Sequence, residues 1–459
     1  MARTANRLPN GSRISDAITI GVLAKSFPVQ RVKAVLVSTG KASLRERDLP
    51  AHVMVYYVMA MTLCMQFCCR EVLRWLLEGA QWLLGPEVAY KVASKSGISQ
   101  ARTRLGWESL KQLHDEMIGP LAGPKTRGAW YRRWRLVTLD GSTLEVTDTA
   151  DNARSFGRPR GSRGPGGYPH LRFVALVENG THVLFGSRVG SYDTGEITLA
   201  KEVVARLEPG MLCLADRNFT GCRVWRKAHS SGADLLWRAK RKLCLPCHQR
   251  LADGSYLSWM YPSKKDRRRN THGVLVRVID YRLEGVADSE PFYRLVTTIL
   301  DPEQAPAEEL AALYHERWEI ETALDELKSH LRGSRIVLRS KTPDLVRQEF
   351  YALLMAHFAV RGLMHEAALQ ANEDPDRLSF VHAVRVVRRK LPLFVAFPPG
   401  GVESSACSDS QRNPAGADRL QPRASYSQRR QTQDHGIPGP AGPRAGFNQN
   451  RLETVHWHH

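Results

Sequence analysis

Four residues of one helix-like stretch carry side chains that can bind phosphate or a metal ion, and they share one face. The stretch is Leu310–Lys328, and at about 100° per residue the four fall within an arc of about 60°. They are Tyr314, Arg317, Glu321 and Lys328. Glu319 and Thr322 lie outside this arc. A carboxylate flanked by phosphate-binding groups indicates polynucleotide chemistry; the alternative is a solvated surface with an i,i+4 pair of Arg317 and Glu321.

Two aspartates that follow short apolar runs are candidates to join Glu321. Asp140 follows the predicted strand Arg135–Leu139 and enters a Gly-Ser turn, and Asp216 follows the apolar run Met211–Ala215. If one sheet brings these strand ends together and a packed helix adds Glu321, three carboxylates converge. Each aspartate also has a structural interpretation, because Asp-Gly is a common turn and Asp216 can cap the segment after it.

Three converging carboxylates suit hard divalent cations, since Mg²⁺ and Mn²⁺ prefer oxygen ligands. Two such ions about 3.5–4 Å apart would activate a water or sugar hydroxyl, stabilise pentavalent phosphorus and support the leaving oxygen. The sequence therefore predicts two Mg²⁺ or Mn²⁺ ions held by Asp140, Asp216 and Glu321. No Gly-x4-Gly-Lys-Ser/Thr motif is present, so this phosphoryl transfer would use no phosphate-loop ATP site.

The composition favours a polyanionic partner. In 459 residues, 66 Lys and Arg against 46 Asp and Glu give a net charge of +20, which attracts nucleic acid. A generally basic soluble protein is the alternative, but the basic clusters recur along the chain. They lie at Arg132–Arg135, Arg158–Arg163, Arg238–Lys242, Lys264–Arg269 and Arg385–Lys390. This dispersed pattern favours a long path for double-stranded DNA.

The cysteines and the N-terminus indicate a reducing cytoplasm, where a DNA-binding protein would be associated with the nucleoid. The eight cysteines lack the spacing of a disulfide framework, and Met1–Arg13 lacks the apolar region of a signal peptide. The apolar stretch Ala51–Cys69 approaches the ~20 residues of a membrane span. Because His52, Thr62 and Gln66 interrupt it, a buried helix is predicted and no membrane partner is expected.

Hydrophobic periodicity predicts an α/β (α+β) fold in five segments. Ala17–Leu121 is helical, strands and a helix follow, Leu235–Leu300 is strand-rich around a basic loop at Lys264–Arg269, and a continuous helix spans Ala307–Leu331. The predicted segments are a helical N-terminal domain at 1–125 that binds end DNA, the first part of a catalytic core at 126–234, a β-rich insertion at 235–302, the second part of the core with the catalytic helix at 303–395, and a low-complexity, disordered tail at 396–459.

The elements around the aspartates are predicted to be short strands. Trp134–Leu139 and Ser142–Asp148 are predicted as two strands separated at Asp140–Gly141, and Leu171–Val177 with His182–Val189 as a hairpin.

Three stretches resemble the signature regions of insertion-sequence DDE transposases with the YREK motif, the IS-four-type family. They are VTLDGSTLEV, LCLADRNFTG and the spacing Tyr-x2-Arg-x3-Glu-x6-Lys. The resemblance spans Arg135 to Arg361, and the helical segment before it is similar to the N-terminal domain of the family. It implies an RNase H-like core, interrupted by the β-rich insertion, with the three carboxylates as metal ligands. It also implies DNA phosphate contacts near the cut from Tyr314, Arg317 and Lys328.

The same resemblance implies an activity and partners. Members of the family cut phosphodiester bonds at the ends of their own element and join the 3′-hydroxyls to target DNA. The expected partners are terminal inverted repeats, target DNA and a second copy of the chain in a synaptic homodimer. Some members flip a base onto an aromatic side chain of the insertion during hairpin cleavage. Trp237 and Trp259 are the candidates, with packing inside the β-rich segment as the alternative.

Other interpretations stay open. A catalytically inactive, transposon-derived DNA-binding protein fits the low-complexity run Gly400–His459, because the resemblance implies a basic helical region after Arg389. A metal-dependent nuclease or resolvase would share every carboxylate and differ only in strand joining. Cys244, Cys247 and His248 match a haem-attachment motif or the start of a zinc site. Haem attachment requires export, however, and no second C-x-x-C is present to complete a zinc site.

Overall fold

The computed structural model describes residues 22–44, 49–84, 91–161, 164–165, 167–283, 292–333, 337–394 and 455–456. The predicted tail at 396–459 therefore lies outside the described residues except for Val455–His456, as do the first 21 residues of the predicted N-terminal domain. The helices are α1 (Val22–Ser26), α2 (Val29–Ser38), α3 (Ala51–Leu63), α4 (Cys69–Leu84), α5 (Lys95–Leu105), α6 (Glu108–Met117), α7 (Ala150–Phe156), α8 (Glu196–Val203), α9 (Cys222–His229), α10 (Lys264–Arg269), α11 (Ala307–Tyr314), α12 (Glu319–Asp325), α13 (Pro343–Ala371) and α14 (Phe380–Phe394). The strands are β1 (Trp130–Tyr131), β2 (Trp134–Glu145), β3 (Arg160–Gly161), β4 (Gly164–Pro165), β5 (His170–Glu178), β6 (Val183–Ser191), β7 (Met211–Ala215), β8 (Asp234–Arg238), β9 (Gln249–Arg250), β10 (Tyr256–Met260), β11 (Val274–Leu283), β12 (Tyr293–Thr297) and β13 (Val455–His456).

The N-terminal helices share an apolar core with the long helix α13. Every residue of α3 from Val53 to Leu63 is buried, because this helix is apolar on all sides. It packs against α13, whose middle turns are also buried all round. The apolar stretch predicted to end at Cys69 is divided, since α3 ends at Leu63 and α4 begins at Cys69. None of the described helices is long and apolar enough to cross a bilayer.

Five strands form the centre of the sheet, in the order β6-β5-β2-β7-β8. β6, β5 and β2 are antiparallel neighbours, whereas β7 runs parallel to both β2 and β8. Three antiparallel strands followed by two parallel ones make an RNase H-like core. The predicted α/β fold class is therefore confirmed, and so is the predicted hairpin of β5 and β6.

Four further strands extend the same sheet beyond β8, in the antiparallel order β12-β11-β10-β9. The segment predicted as a β-rich insertion is thus rich in strands, but its predicted boundary at 235 comes too early. β8 pairs in parallel with β7, which makes it the fifth core strand. Lys264–Arg269, predicted as a loop, is the short helix α10, because the Ser263 hydroxyl accepts a hydrogen bond from the Asp266 amide and caps it.

Asp140 lies within a strand and not in a turn. The sequence predicts two strands separated at Asp140–Gly141, whereas β2 is continuous from Trp134 to Glu145. The prediction of a turn is wrong because β5 pairs with β2 from Val137 to Glu145 and satisfies its backbone groups across the Asp-Gly step. Long-range pairing here overrides the local turn preference of the dipeptide.

The predicted continuous helix Ala307–Leu331 contains two turns that are not α-helical. α11 is followed by a 3₁₀ turn at His315–Trp318, then by α12, and then by a π-helical turn at Glu326–Leu331. Within the 3₁₀ turn, the carbonyl of Glu316 accepts a hydrogen bond from the Asn179 side chain at 3.1 Å. A side chain from the β5–β6 turn therefore binds a carbonyl that would otherwise accept a hydrogen bond from a backbone amide of the helix. Such irregular turns are frequent at functional sites.

Candidate active site

Asp140 and Asp216 lie side by side where two parallel strands part. Leu139 on β2 is the last partner of Ala215 on β7, and the two aspartates are the next residues of these adjacent strands. Neighbouring strands are about 4.8 Å apart, so the two carboxylates share one edge of the parallel pair. Each Oδ1 accepts a hydrogen bond from the next backbone amide, at 2.7 Å for Asp140 and 2.6 Å for Asp216.

Glu321 approaches the same edge together with Arg317. Nη1 of Arg317 lies 3.7 Å from Oδ2 of Asp140, and Nη2 lies 3.6 Å from Oε1 of Glu321. Because the guanidinium group is small and rigid, these two carboxylates are less than about 10 Å apart. The structure thus brings together the three carboxylates and the arginine that the sequence singled out, although they come from a strand, a strand end and a helix.

Like charges crowd this edge. Burial raises the pKa of Asp140 to about 6; the Gly141 amide and Arg317 act against this rise, and Asp216 adds to it. Burial also raises the pKa of Glu321, with Arg317 opposing and Asp216 reinforcing the rise. The carboxylates therefore repel one another in their ionised forms, and a cation placed among them would relieve the repulsion.

The donor set fits a hard divalent cation. All three side chains offer carboxylate oxygens, which such cations prefer. The side chain of Glu321 is 48% exposed and that of Asp140 is 23% exposed, so the edge is open to solvent and to a substrate. The site therefore has both ligands and access, as a catalytic metal site requires.

Tyr314 does not present its hydroxyl to solvent. The side chain is buried, and the hydroxyl donates to the backbone carbonyl of Ala215 at 3.3 Å. Without DNA the hydroxyl is thus bonded to the sheet, and the phosphate contact of Tyr314 stays a prediction. The contact holds the end of β7, the residue before Asp216.

Lys328 lies close to the sheet edge that carries Asp140 and Asp216. Its Nζ donates to Oγ of Ser142 at 3.0 Å, and Ser142 lies two residues after Asp140 on the same face of β2. Burial lowers the pKa of Lys328, and the nearby Arg332 charge lowers it further. The ammonium group is thus directed towards the strand that carries Asp140, and its predicted phosphate contact stays a prediction.

Only one of the two tryptophans predicted to stack a flipped base is accessible. Trp237 has no exposed surface and packs edge to face against Trp225, with ring centroids 5.1 Å apart. Its predicted role is wrong because β8 belongs to the buried core of the sheet. Trp259 on β10 is 37% exposed and stays a candidate. Sequence reasoning missed Trp318, which is 49% exposed and lies next to Arg317 in the chain.

Asn179 was also missed, although it joins the sheet to the helix that carries Glu321. Its Oδ1 accepts a hydrogen bond from Oγ1 of Thr138 at 2.9 Å, and its amide binds the Glu316 carbonyl. The only signal in the sequence was a polar residue at a predicted hairpin turn. Cys244 and Cys247 are exposed, and in the described part of the chain no third His, Cys, Asp or Glu joins them in a metal-binding group.

Comparisons with known proteins place these motifs in a family. The family described as insertion element 4 transposase N-terminal matches residues 17–115, and the family described as transposase DDE domain matches residues 134–359. The transposase InsG for insertion sequence element IS4 of Escherichia coli (strain K12) is 26% identical over 385 residues, covering 81% of this chain and 83% of that protein. A cryo-EM structure of the piggyBac transposase synaptic complex with hairpin DNA covers 91% of this chain and 88% of its own, with a TM-score of 0.43 and 10% identity.

Proposed function

Because the chain belongs to the IS4-type DDE transposases and is therefore a DNA transposase, we propose that Asp140, Asp216 and Glu321 are its catalytic carboxylates. The observation that supports this assignment is the arrangement around Arg317, which contacts Asp140 and Glu321 at once. The raised pKa values of Asp140 and Glu321 are the second support: they come first from burial and then from the nearby Asp216, and a cation bound there would offset both effects.

The family uses divalent metal, and we propose two Mg²⁺ or Mn²⁺ ions held by the three carboxylates. Such ions supply charge stabilisation at the phosphorus and an activated hydroxyl. The two aspartates are fixed by paired strands, whereas Glu321 lies on the irregular helix. The conformation of this helix therefore determines the position of the third ligand.

Arg317 and Lys328 are proposed to bind the phosphates at the cut. Arg317 stays charged: burial acts against its cationic form, but Tyr314, Asp140 and the other two carboxylates outweigh burial and raise its pKa. Once cations neutralise the carboxylates, its planar fork is free to bind two phosphate oxygens. Lys328 offers a single point charge close to Ser142.

The proposed reaction is cleavage at the ends of the element and transfer of the 3′-hydroxyls into target DNA, in the cytoplasm. The helical N-terminal segment would bind terminal inverted repeats, and two copies of the chain would pair the two ends. The net charge of +20 supports binding of long DNA.

The test is metal-dependent cleavage of a duplex that contains the end of the element. Glu321→Gln keeps the size of the side chain and removes its charge, so we expect DNA binding to survive and cleavage to fall by about three orders of magnitude or more. Asp325→Asn is the matched control, because this carboxylate lies on the same helix and is 58% exposed.

Equal cleavage by the wild type and Glu321→Gln chains would refute the proposed site. Absence of cleavage by the wild type, with DNA binding retained, would favour the inactive DNA-binding protein. Cleaved products without any joined target strand would favour a nuclease.

A further inference from the structure

A second group of metal-binding side chains lies on the other side of the catalytic helix. Nε2 of His182 lies 3.1 Å from Oδ1 of Asp376 and 3.8 Å from Oε2 of Glu319. One ligand atom from each residue lies within 4.8 Å of the other two. His182 belongs to the β5–β6 turn, Glu319 to α12 and Asp376 to the 3₁₀ helix Pro375–Arg377. We call His182, Glu319 and Asp376 the buried triad.

The spacing in the buried triad is compatible with metal coordination, and the geometry at Nε2 of His182 is not that of a hydrogen bond. His182 is 1% exposed, and within the described residues its Nε2 makes no hydrogen bond, although Oδ1 of Asp376 is only 3.1 Å away. Two ligands about 2.1 Å from one zinc ion at a tetrahedral angle lie about 3.4 Å apart. The two distances from His182, 3.1 and 3.8 Å, fall on either side of this value.

Further contacts orient the ligands of the buried triad from behind. Nδ1 of His182 lies 3.3 Å from Oε1 of Glu326, and Arg361, which binds Glu326, also lies against this nitrogen. In the tautomer with the proton on Nδ1, His182 donates to the Glu326 carboxylate, Arg361 donates to the same carboxylate, and the unprotonated Nε2 is available to bind an ion. Oε2 of Glu319 accepts a hydrogen bond from the Gly180 amide at 2.5 Å, which fixes the second ligand.

We propose that the buried triad holds one divalent transition-metal ion, separate from the ions at the catalytic carboxylates. One imidazole and two carboxylates form a donor set suited to Zn²⁺ or Mn²⁺, whereas Mg²⁺ and Ca²⁺ prefer sites made only of oxygen. The ion ties the β5–β6 turn and the 3₁₀ helix to α12, which carries Glu321. Its role is to fix the position of α12 from the face opposite Glu321.

The test counts metal bound to the full chain carrying Asp140→Asn and Glu321→Gln, because these changes remove two of the three catalytic ligands. The protein is stripped with a chelator, dialysed against Zn²⁺, freed of excess metal and measured by mass spectrometry. We expect this parent chain to retain about one equivalent of zinc more than the same chain with Asp376→Asn added. Glu373→Gln is the matched control, since this carboxylate is close in sequence and 42% exposed. Zinc held by Cys244 and Cys247 is common to all chains and cancels.

Glu319→Gln provides a second variant that keeps the size of the side chain and an acceptor for the Gly180 amide. We expect this variant also to lose one equivalent of zinc. Circular dichroism reports whether each variant is folded. Zn²⁺ should raise the Tm of the parent and of the Glu373→Gln chain, and not that of the two triad variants.

Equal zinc content in the folded triad variants and the control would refute the proposal, as would a parent chain without the extra equivalent. If Asp376→Asn does not fold, the Glu319→Gln chain decides. Because this measurement involves no DNA, its outcome is independent of whether the catalytic carboxylates cut DNA.

Discussion

Glu319 and Glu321 are two residues apart on α12 and have opposite environments. The side chain of Glu321 is 48% exposed and meets Arg317 at the open edge with Asp140. The side chain of Glu319 is 8% exposed and binds the Gly180 amide beneath the helix. Residues two apart are separated by a rotation of about 200° around the helix axis, so their side chains lie on nearly opposite faces. One helix can therefore serve a catalytic edge with one face and a buried polar cluster with the other.

The two faces contribute to stability in opposite directions. At the catalytic edge, burial and Asp216 raise the pKa of Asp140, which means that its ionised form destabilises the fold. On the buried face the pKa of Glu326 is far below its usual value: burial acts to raise it, but His182, His357 and Arg361 together outweigh burial. A crowded active site is thus supported by a paired cluster on the opposite face.

Removing the charge of Glu326 should have the largest effect on the fold. Glu326→Gln leaves the buried guanidinium of Arg361 without its carboxylate, and we expect the free energy of unfolding to fall by about 3–5 kcal/mol. Urea denaturation at pH 7 measures the change. Asp325→Asn is the control, because this neighbouring carboxylate is exposed and should change stability by less than about 0.5 kcal/mol. Equal stability of the two variants would contradict the assigned role of the buried face.

The sequence predicted the strand and helix positions of the carboxylates well where local signals suffice. The apolar run Met211–Ala215 is β7 with the predicted bounds, because five buried residues between turn signals leave few alternatives. The position of Asp216 at the end of this strand followed directly. Glu319 was also separated from Glu321 by helical periodicity, and the structure places the two on different faces.

What the sequence did not predict depends on partners distant in the chain. Asp140 lies in a continuous strand because β5 pairs across it, and the helix changes its winding where Asn179 binds a carbonyl 137 positions further along the chain. Trp237 is buried because Trp225 on α9 covers it, and Tyr314 turns inward to the end of β7. Propensity and periodicity carry no information about such contacts.

The pH dependence of stability should separate the two faces by its sign. The folded state raises the pKa of Asp140 from 3.8 to about 6, so wild type loses stability as the pH rises through this range. In the absence of metal, Asp140→Asn should be more stable than wild type above pH 7, by at most about 3 kcal/mol, and the difference should shrink as the pH falls and vanish below the unfolded pKa of 3.8. For Glu326 the sign is reversed, since a lowered pKa gives stability that is lost as the pH falls.

Urea denaturation between about pH 3 and 7.5 in the presence of a chelator measures this difference on both sides of the two pKa values. Asp151→Asn serves as the control, because its side chain is 60% exposed and should leave the pH profile unchanged. If the difference in stability between wild type and Asp140→Asn is constant with pH, burial does not raise the pKa of the Asp140 carboxyl group.

Tyr314→Phe should have the smallest effect, and it tests how the helix is attached to the sheet. The change removes the hydrogen bond to the Ala215 carbonyl, so we expect about 0.5–1.5 kcal/mol less stability. Cleavage should fall by less than about tenfold, because Asp216 keeps its strand and loses only one restraint. DNA binding should not change, since the hydroxyl does not reach solvent. Tyr256→Phe is the control, because its hydroxyl also lies within hydrogen-bond distance of a backbone carbonyl, that of Leu245 at 3.4 Å, and of Oδ2 of Asp280 at 3.4 Å, far from α12 in sequence. If Tyr314→Phe weakens DNA binding and Tyr256→Phe does not, the hydroxyl leaves the sheet in the DNA complex, and the phosphate contact predicted from the sequence is supported.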